Sequence, residues 1–266
     1  MKKICNDLAD ECKALDTIIK DLGEADWNRV TPFYDWTIKD EISHLAYFDR
    51  FVHFSATDPK AFEQEMEHLV KNFEKMFEVT REEGLAMNAG DLLQWWRTGY
   101  EAMVAGFRPL DPKTRLPWHL PMSAKSSATA RIMETWAHGQ DIVDALGAHR
   151  VATDRLRHIA HLGVATFGWS FSCRQMDVPE DPVRVELAAP SGTIWHWGPA
   201  DAQNTIKGPA EDFCLVVVQR RHFEDTGLVI SGETAGQWMA IAQAFAGPAA
   251  EGPAAGKYKI FTRNLQ

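Results

Sequence analysis

Apolar residues recur at helical spacing over the first two thirds of the chain and switch to strict alternation afterwards. Ile4, Leu8, Cys12, Leu15, Ile19 and Leu22 line one helical face and are followed by Gly23, which predicts a first helix with a glycine stop. Trp27–Trp36 is interrupted by Pro32 and carries Phe33 and Tyr34, so it reads as a loop packed by aromatic rings. Thr37 with Asp40 three residues on resembles a capping box, and Ile38, Ile42, Leu45, Phe48 and Val52 continue the helix it opens. Asp58-Pro59 supplies a cap and a first-turn proline for a third helix, expected to reach about Val79. Phe62, Met66, Leu69, Phe73 and Phe77 are expected to face inward there, opposite a solvated row of Glu and Lys. Asp91 opens a helix over Leu92–Phe107, and a proline-rich connection, Arg108–Met122, follows. That connection holds Trp118, His119 and Pro121, and reads equally as a roof over a site or as a crossover. A long helix then covers Ala128–Gly147, and another runs from Asp154 to about Cys173.

The texture changes at Gln175–Pro182. Val183–Ala188 and Thr193–Trp197 alternate on either side of Pro190-Ser191-Gly192, which predicts a β-hairpin. A third short strand lies near Ile206, a helix over Pro209–Arg221, a strand at Leu228–Ser231 and a last amphipathic helix over Thr234–Ala246. The expected class is α+β: a helical domain over 1–176, a smaller α/β domain over 180–247, and a loose tail over 248–266.

The Ala128–Gly147 helix carries the candidate chemistry. Arg131, Glu134, His138 and Asp141 share one stripe at spacings of three and four, while Ile132, Met133, Trp136, Ile142, Val143 and Leu146 imply burial around it. A solvated face explains a charged stripe on a surface helix, but less well on a helix this apolar. Glu134 and His138, one turn apart, make half of a metal site. A third ligand must come from elsewhere, and His44, in the middle of the second helix, is the candidate. Alone, it reads as a core histidine. A His, Glu and His set with one position left open is the composition of a catalytic zinc site rather than a closed structural one. His158 and His161 form a rival pair, but they follow Arg155 and Arg157 and read as polar-face residues.

Composition narrows the classes. Net charge is −9 with no run of Lys or Arg, which speaks against a nucleic-acid surface. Acidic residues at Asp7, Asp10 and Glu11 occupy the place of a signal peptide's apolar core, and no apolar run reaches the ~20 residues that span a membrane. The expected setting is the cytoplasm, without membrane partners. The four cysteines, Cys5, Cys12, Cys173 and Cys214, have no C-x-x-C spacing and read as free thiols. The ten tryptophans suggest thick aromatic packing around a cleft. The oligomeric state stays open between a single chain and a homodimer.

With His44 on one helix and E-T-W-A-H on another, the sequence resembles the metal-binding four-helix bundle of the DinB-like superfamily. It is more narrowly similar to the mycothiol-dependent maleylpyruvate isomerase branch. The stretch PMSAKSSATARIMETWAHGQDIVDALG, Pro121–Gly147, is most similar to an uncharacterised metal-binding subgroup of that branch. The resemblance implies a divalent metal, zinc above all, on His44, Glu134 and His138, and a C-terminal domain of sterol-carrier-like fold. It also implies a functional arginine in D-F-C-L-V-V-V-Q-R, at Arg220, with Arg221 adjacent and Gln219 where the family has glycine.

The leading expectation is a metal-dependent isomerase or thiol transferase. A low-molecular-weight thiol, held as thiolate on the metal, would add to an activated small-molecule substrate. Arg220 would pair with a substrate carboxylate, and Asp141 would orient His138 from one turn away, unless it is simply a solvated residue. Arg131 is expected to pair with Glu134. One alternative keeps the metal but puts water on it, giving a hydrolase, hydratase or lyase acting on a small acid or acyl thioester. The other is a non-enzymatic protein that binds a metal or an apolar ligand. Some relatives carry a label tied to tRNA base modification, which the acidic charge disfavours.

Overall fold

The structure, a computed structural model, describes residues 1–118 and 121–258. The chain divides into two compact units, Met1–Arg150 and the chain from Val151 on.

In the first unit, α1 (Lys2–Ile19), α3 (Ile38–Thr57), α6 (Ala89–Phe107) and α7 (Ala124–Leu146) form a bundle, and α2 (Glu24–Trp27) is one short turn before the aromatic loop. α3 packs on α6 and α7, and α1 packs on the same two helices from the opposite side. Leu8, Cys12, Ile42, Leu45, Trp96, Met103 and Ile132 fill the space between them. The start of α3 is fixed as the sequence predicts: Thr37 caps Asp40, and the Asp40 carboxylate accepts from the Thr37 backbone N–H at 2.8 Å. α7 is capped by Ser123, whose hydroxyl accepts from the Ser126 N–H at 3.1 Å, and it ends at Gly147 in the left-handed region, φ 59°.

Two expectations here need correction. The helix predicted from Pro59 to about Val79 is broken into α4 (Pro59–Lys71), a 3-10 turn over Phe73–Lys75, and α5 (Met76–Leu85). Asn72 ends α4 by turning its side-chain amide onto the His68 carbonyl at 2.9 Å. The break changes the phase of the helix face, so Phe73 and Phe77, expected inside, are 72% and 51% exposed. α6 begins three residues before the predicted Leu92, because Asn88 rather than Asp91 is its cap, accepting from the Asp91 N–H at 2.9 Å. The connection to α7 contains a two-stranded ribbon, β1 (Arg115–Leu116) with β2 (Met122–Ser123), and Trp118 packs on Phe51 with ring centroids 5.0 Å apart. His119 lies outside the described residues, as does any roof built from it.

The second unit holds β3 (Val183–Ala188), β4 (Ile194–Trp197), β5 (Asn204–Pro209) and β6 (Val229–Ser231), in the spatial order β4-β3-β5-β6. The β3–β4 hairpin is the predicted one, while β5 joins β3 in parallel. α10 (Ala210–Val217) and α11 (Glu233–Ile241) pack on the sheet. α8 (Leu156–Ala165) packs on α10, and α9 (Phe167–Ser172) on α11. That packing is why the division falls at Arg150 and not in Gln175–Pro182, where the sequence pattern changes. The single helix expected over this stretch is split at Thr166, whose hydroxyl bonds to the Leu162 carbonyl at 2.8 Å. The segment after Gly247, expected to be a loose arm, is tied down as far as Tyr258. The Ala250 carbonyl accepts from Gln219 Nε2 at 2.9 Å, the Gly256 N–H donates to Asp225 at 2.8 Å, and Arg221 lies over the Tyr258 ring.

Among the described residues, no helix is long and apolar enough to cross a membrane. Among the described residues, Cys5, Cys12, Cys173 and Cys214 form no disulfide.

Candidate metal centre

α3 and α7 run side by side and bring His44, Glu134 and His138 together, their ligand atoms all within 4.8 Å of one another. Glu134 Oε2 lies 3.4 Å from His138 Nε2 and 3.9 Å from His44 Nε2. Donors bound at about 2.0–2.1 Å in a tetrahedral array stand about 3.3–3.4 Å apart. The set therefore fits a small divalent ion, with imidazole and carboxylate donors suited to zinc. The histidines are buried, while the Glu134 side chain keeps 27% of its surface, so the cluster opens on that side.

Electrostatics ready the three groups differently. Burial drives His44 down to about 4, so it is neutral near pH 7 and its ring nitrogen is free for a cation. Burial also disfavours charge on His138, but hydrogen bonds to Glu134 and Glu41 outweigh it and carry this imidazole up to about 9. Burial alone would raise the Glu134 carboxyl; its bonds to His138 and His44 override that and hold it well below the usual carboxylate range. With no metal bound, a proton on His138 stands in for the cation.

The far side of His138 shows what sequence reasoning missed. Glu41 Oε2 lies 2.7 Å from His138 Nδ1, whereas Asp141 Oδ2, expected to be the orienting partner, stands at 3.8 Å. Glu41 is supplied by α3, and its other oxygen accepts from the Thr31 hydroxyl at 2.7 Å. Its spacing, three residues before His44, was the available signal. Arg131 does not pair with Glu134: its Nε donates to Asp49 Oδ1 at 3.0 Å, and Asp49 also accepts from Trp96 Nε1 at 3.1 Å.

The aromatic loop walls the cluster. Phe33 meets the His138 ring edge-on at 5.2 Å, and Trp36 lies nearly parallel to it at 6.0 Å. Trp36 and Phe48 flank His44 at 5.3 and 4.7 Å. The loop is pinched by the Val30–Thr37 bridge and turns through Tyr34 and Asp35, both at positive φ. His44 is held less firmly than His138, since its Nδ1 is buried with no hydrogen-bond partner among the described residues.

Arg220 and Arg221 lie just after α10 in the second unit. Arg220 is buried and donates to the Val218 carbonyl at 2.8 Å, and Gln219, at the family's glycine position, adopts φ 59°. His158 is half-buried and His161 exposed on α8, in the second unit.

Comparison with known proteins agrees with this architecture. Two uncharacterized proteins from two strains of Mycobacterium tuberculosis are each 41% identical over 247 residues, spanning 92% of this chain and 96% of theirs. The crystal structure of the mycothiol-dependent maleylpyruvate isomerase matches with a TM-score of 0.53, covering 82% of this chain and 89% of that one at 14% identity. A histidine-to-alanine mutant of that isomerase matches with a TM-score of 0.55. Residues 179–230 match a family described as wyosine base formation. Residues 8–143, which contain the whole His44, Glu134 and His138 cluster, match the family described as the mycothiol maleylpyruvate isomerase N-terminal domain, and the chain belongs to that family.

Proposed function

We propose that this protein is a metal-dependent enzyme of the thiol-dependent isomerase or S-transferase type. Its metal ligands are His44, Glu134 and His138, and a low-molecular-weight thiol and a small activated molecule are its substrates. The observation that carries this reading is the convergence of two buried imidazoles and one partly exposed carboxylate within 4.8 Å. Three protein donors leave room for an exogenous ligand. When bound, zinc would keep a coordinated thiol as thiolate at neutral pH.

The chain's own groups do the rest. His44 presents a neutral nitrogen. Glu41 accepts the Nδ1 proton of His138 and so turns Nε2 toward Glu134. Phe33 and Trp36 exclude water from the buried side. Arg220 is assigned to the substrate's carboxylate and Asp141 to a supporting charge near His138, as the family resemblance and the helix spacing suggest. The names of the solved relatives make mycothiol the first thiol to test.

The test is elemental analysis of the purified protein and its His44→Ala, Glu134→Ala and His138→Ala variants, followed by a screen of activated small acids with and without mycothiol. About one zinc per chain, lost in the three variants, together with turnover that needs the thiol, is the expected result. Turnover without any thiol would replace this reading with the water-based one, and full metal in the His44 variant would overturn the ligand set.

A further inference from the structure

We propose that Glu41 is a positioning residue of the metal centre and that Thr31 holds it in place, so that the loop from Val30 to Thr37 sets the orientation of His138. This inference rests on the reading of His44, Glu134 and His138 as the ligand set.

Glu41 is 0% exposed, on a helix whose neighbouring positions Ile38, Ile42 and Leu45 are buried and apolar. A carboxylate there is costly unless its oxygens are satisfied, and an apolar residue of the same size would pack at least as well. Both oxygens are bonded, Oε1 to the Thr31 hydroxyl and Oε2 to His138 Nδ1, each at 2.7 Å. When Nε2 is given to a metal, the single proton of the neutral ring sits on Nδ1, where Glu41 Oε2 is placed to accept it. Nε2 is the atom that faces Glu134. Fixing the tautomer and turning the ring in this way is what a carboxylate behind a ligating histidine does.

The arrangement cross-ties two helices. α3 supplies the ligand His44 and, one turn earlier, the acceptor that aims the ligand from α7. Thr31 extends the tie to the loop: its N–H donates to the Trp36 carbonyl at 2.6 Å, and the Trp36 ring lies parallel to that of His138. The loop thus reaches His138 twice, through a ring on its face and through a hydroxyl–carboxylate relay at Nδ1.

The experiment measures zinc affinity by competition with a chromophoric chelator, alongside thermal unfolding of the zinc-free protein. The variants are Glu41→Ala, Glu41→Gln and Thr31→Val. Glu41→Ala is expected to weaken zinc binding by about 10–100-fold. Glu41→Gln keeps an oxygen that can accept from Nδ1 but loses the charge, so its loss is smaller. Thr31→Val shifts affinity in the same direction, by less than Glu41→Ala. A zinc affinity unchanged in Glu41→Gln and Thr31→Val, whether or not their unfolding temperatures fall, would assign Glu41 to packing and overturn the proposal. A wild-type protein that takes no zinc would overturn the ligand set itself, and this proposal with it.

Discussion

Arg131 on α7 and Asp49 on α3 form an ion pair, 2.9 Å apart, in which the Asp49 side chain is wholly buried. Burial pushes the Asp49 carboxyl up, and the Arg131 charge and hydrogen bond oppose that. Arg131 lies one turn before Glu134, and the pair joins the same two helices that bring His44, Glu134 and His138 together. Removing one partner strands the other charge in the core. Asp49→Ala is therefore expected to destabilise the metal-free protein by roughly 3–5 kcal/mol, while the double change Asp49→Leu with Arg131→Met costs less than either single change. Urea unfolding of Asp49→Ala, of Asp49→Leu and Arg131→Met singly, and of the double variant, read by tryptophan fluorescence, checks the order.

Zinc binding should depend on pH through His138. A metal needs the unprotonated ring nitrogen, and the metal-free protein holds a proton on this imidazole up to about pH 9. Below that value zinc must displace the proton, so affinity is expected to rise about tenfold per pH unit between neutrality and about 9, then level off. His44, held down to about 4, contributes no such slope above pH 5. Chelator competition at a series of pH values, corrected for the chelator's own protonation, measures the slope; a flat profile would contradict the proton's place on His138.

The protein's own thiols should not substitute for an added one. Burial raises the Cys12 thiol well above its ordinary value and raises Cys5 as well, so both stay protonated and shielded. Cys173 is half-buried. Alkylation of the native protein with iodoacetamide at pH 8, read by mass spectrometry, is expected to label Cys173 first and Cys5 and Cys12 only after unfolding. Activity in the thiol assay should survive Cys173→Ser.

α5 approaches α3 through Gly84, where an added Cβ would run into the Ser43 side chain and touch Leu92 at 3.0 Å. An exposed helical glycine replaced by alanine gains about 1 kcal/mol, but here the clash with a buried serine reverses the sign. Gly84→Ala should lower the unfolding temperature, and Gly84→Ala combined with Ser43→Ala should recover part of the loss. Differential scanning calorimetry of both variants separates the two effects.

The sequence alone determined the helix-then-strand order, the capping box of α3, the β3–β4 hairpin and the candidacy of His44, Glu134 and His138. All but the candidacy of His44 are local: periodicity, a cap three residues from its partner, or two ligands one turn apart on a single helix. Helix interruptions at Asn72 and Thr166 were hidden because a side chain bonding back to the preceding turn leaves no trace in hydrophobic spacing. The partners of buried charges were decided only by tertiary structure. Spacing along α7 pointed Arg131 at Glu134 and Asp141 at His138, yet α3 supplies Asp49 to the first and Glu41 to the second. A buried charge takes the best-aligned acceptor that the packed neighbour offers, and which neighbour that is depends on how two helices, some ninety residues apart in the chain, settle against each other.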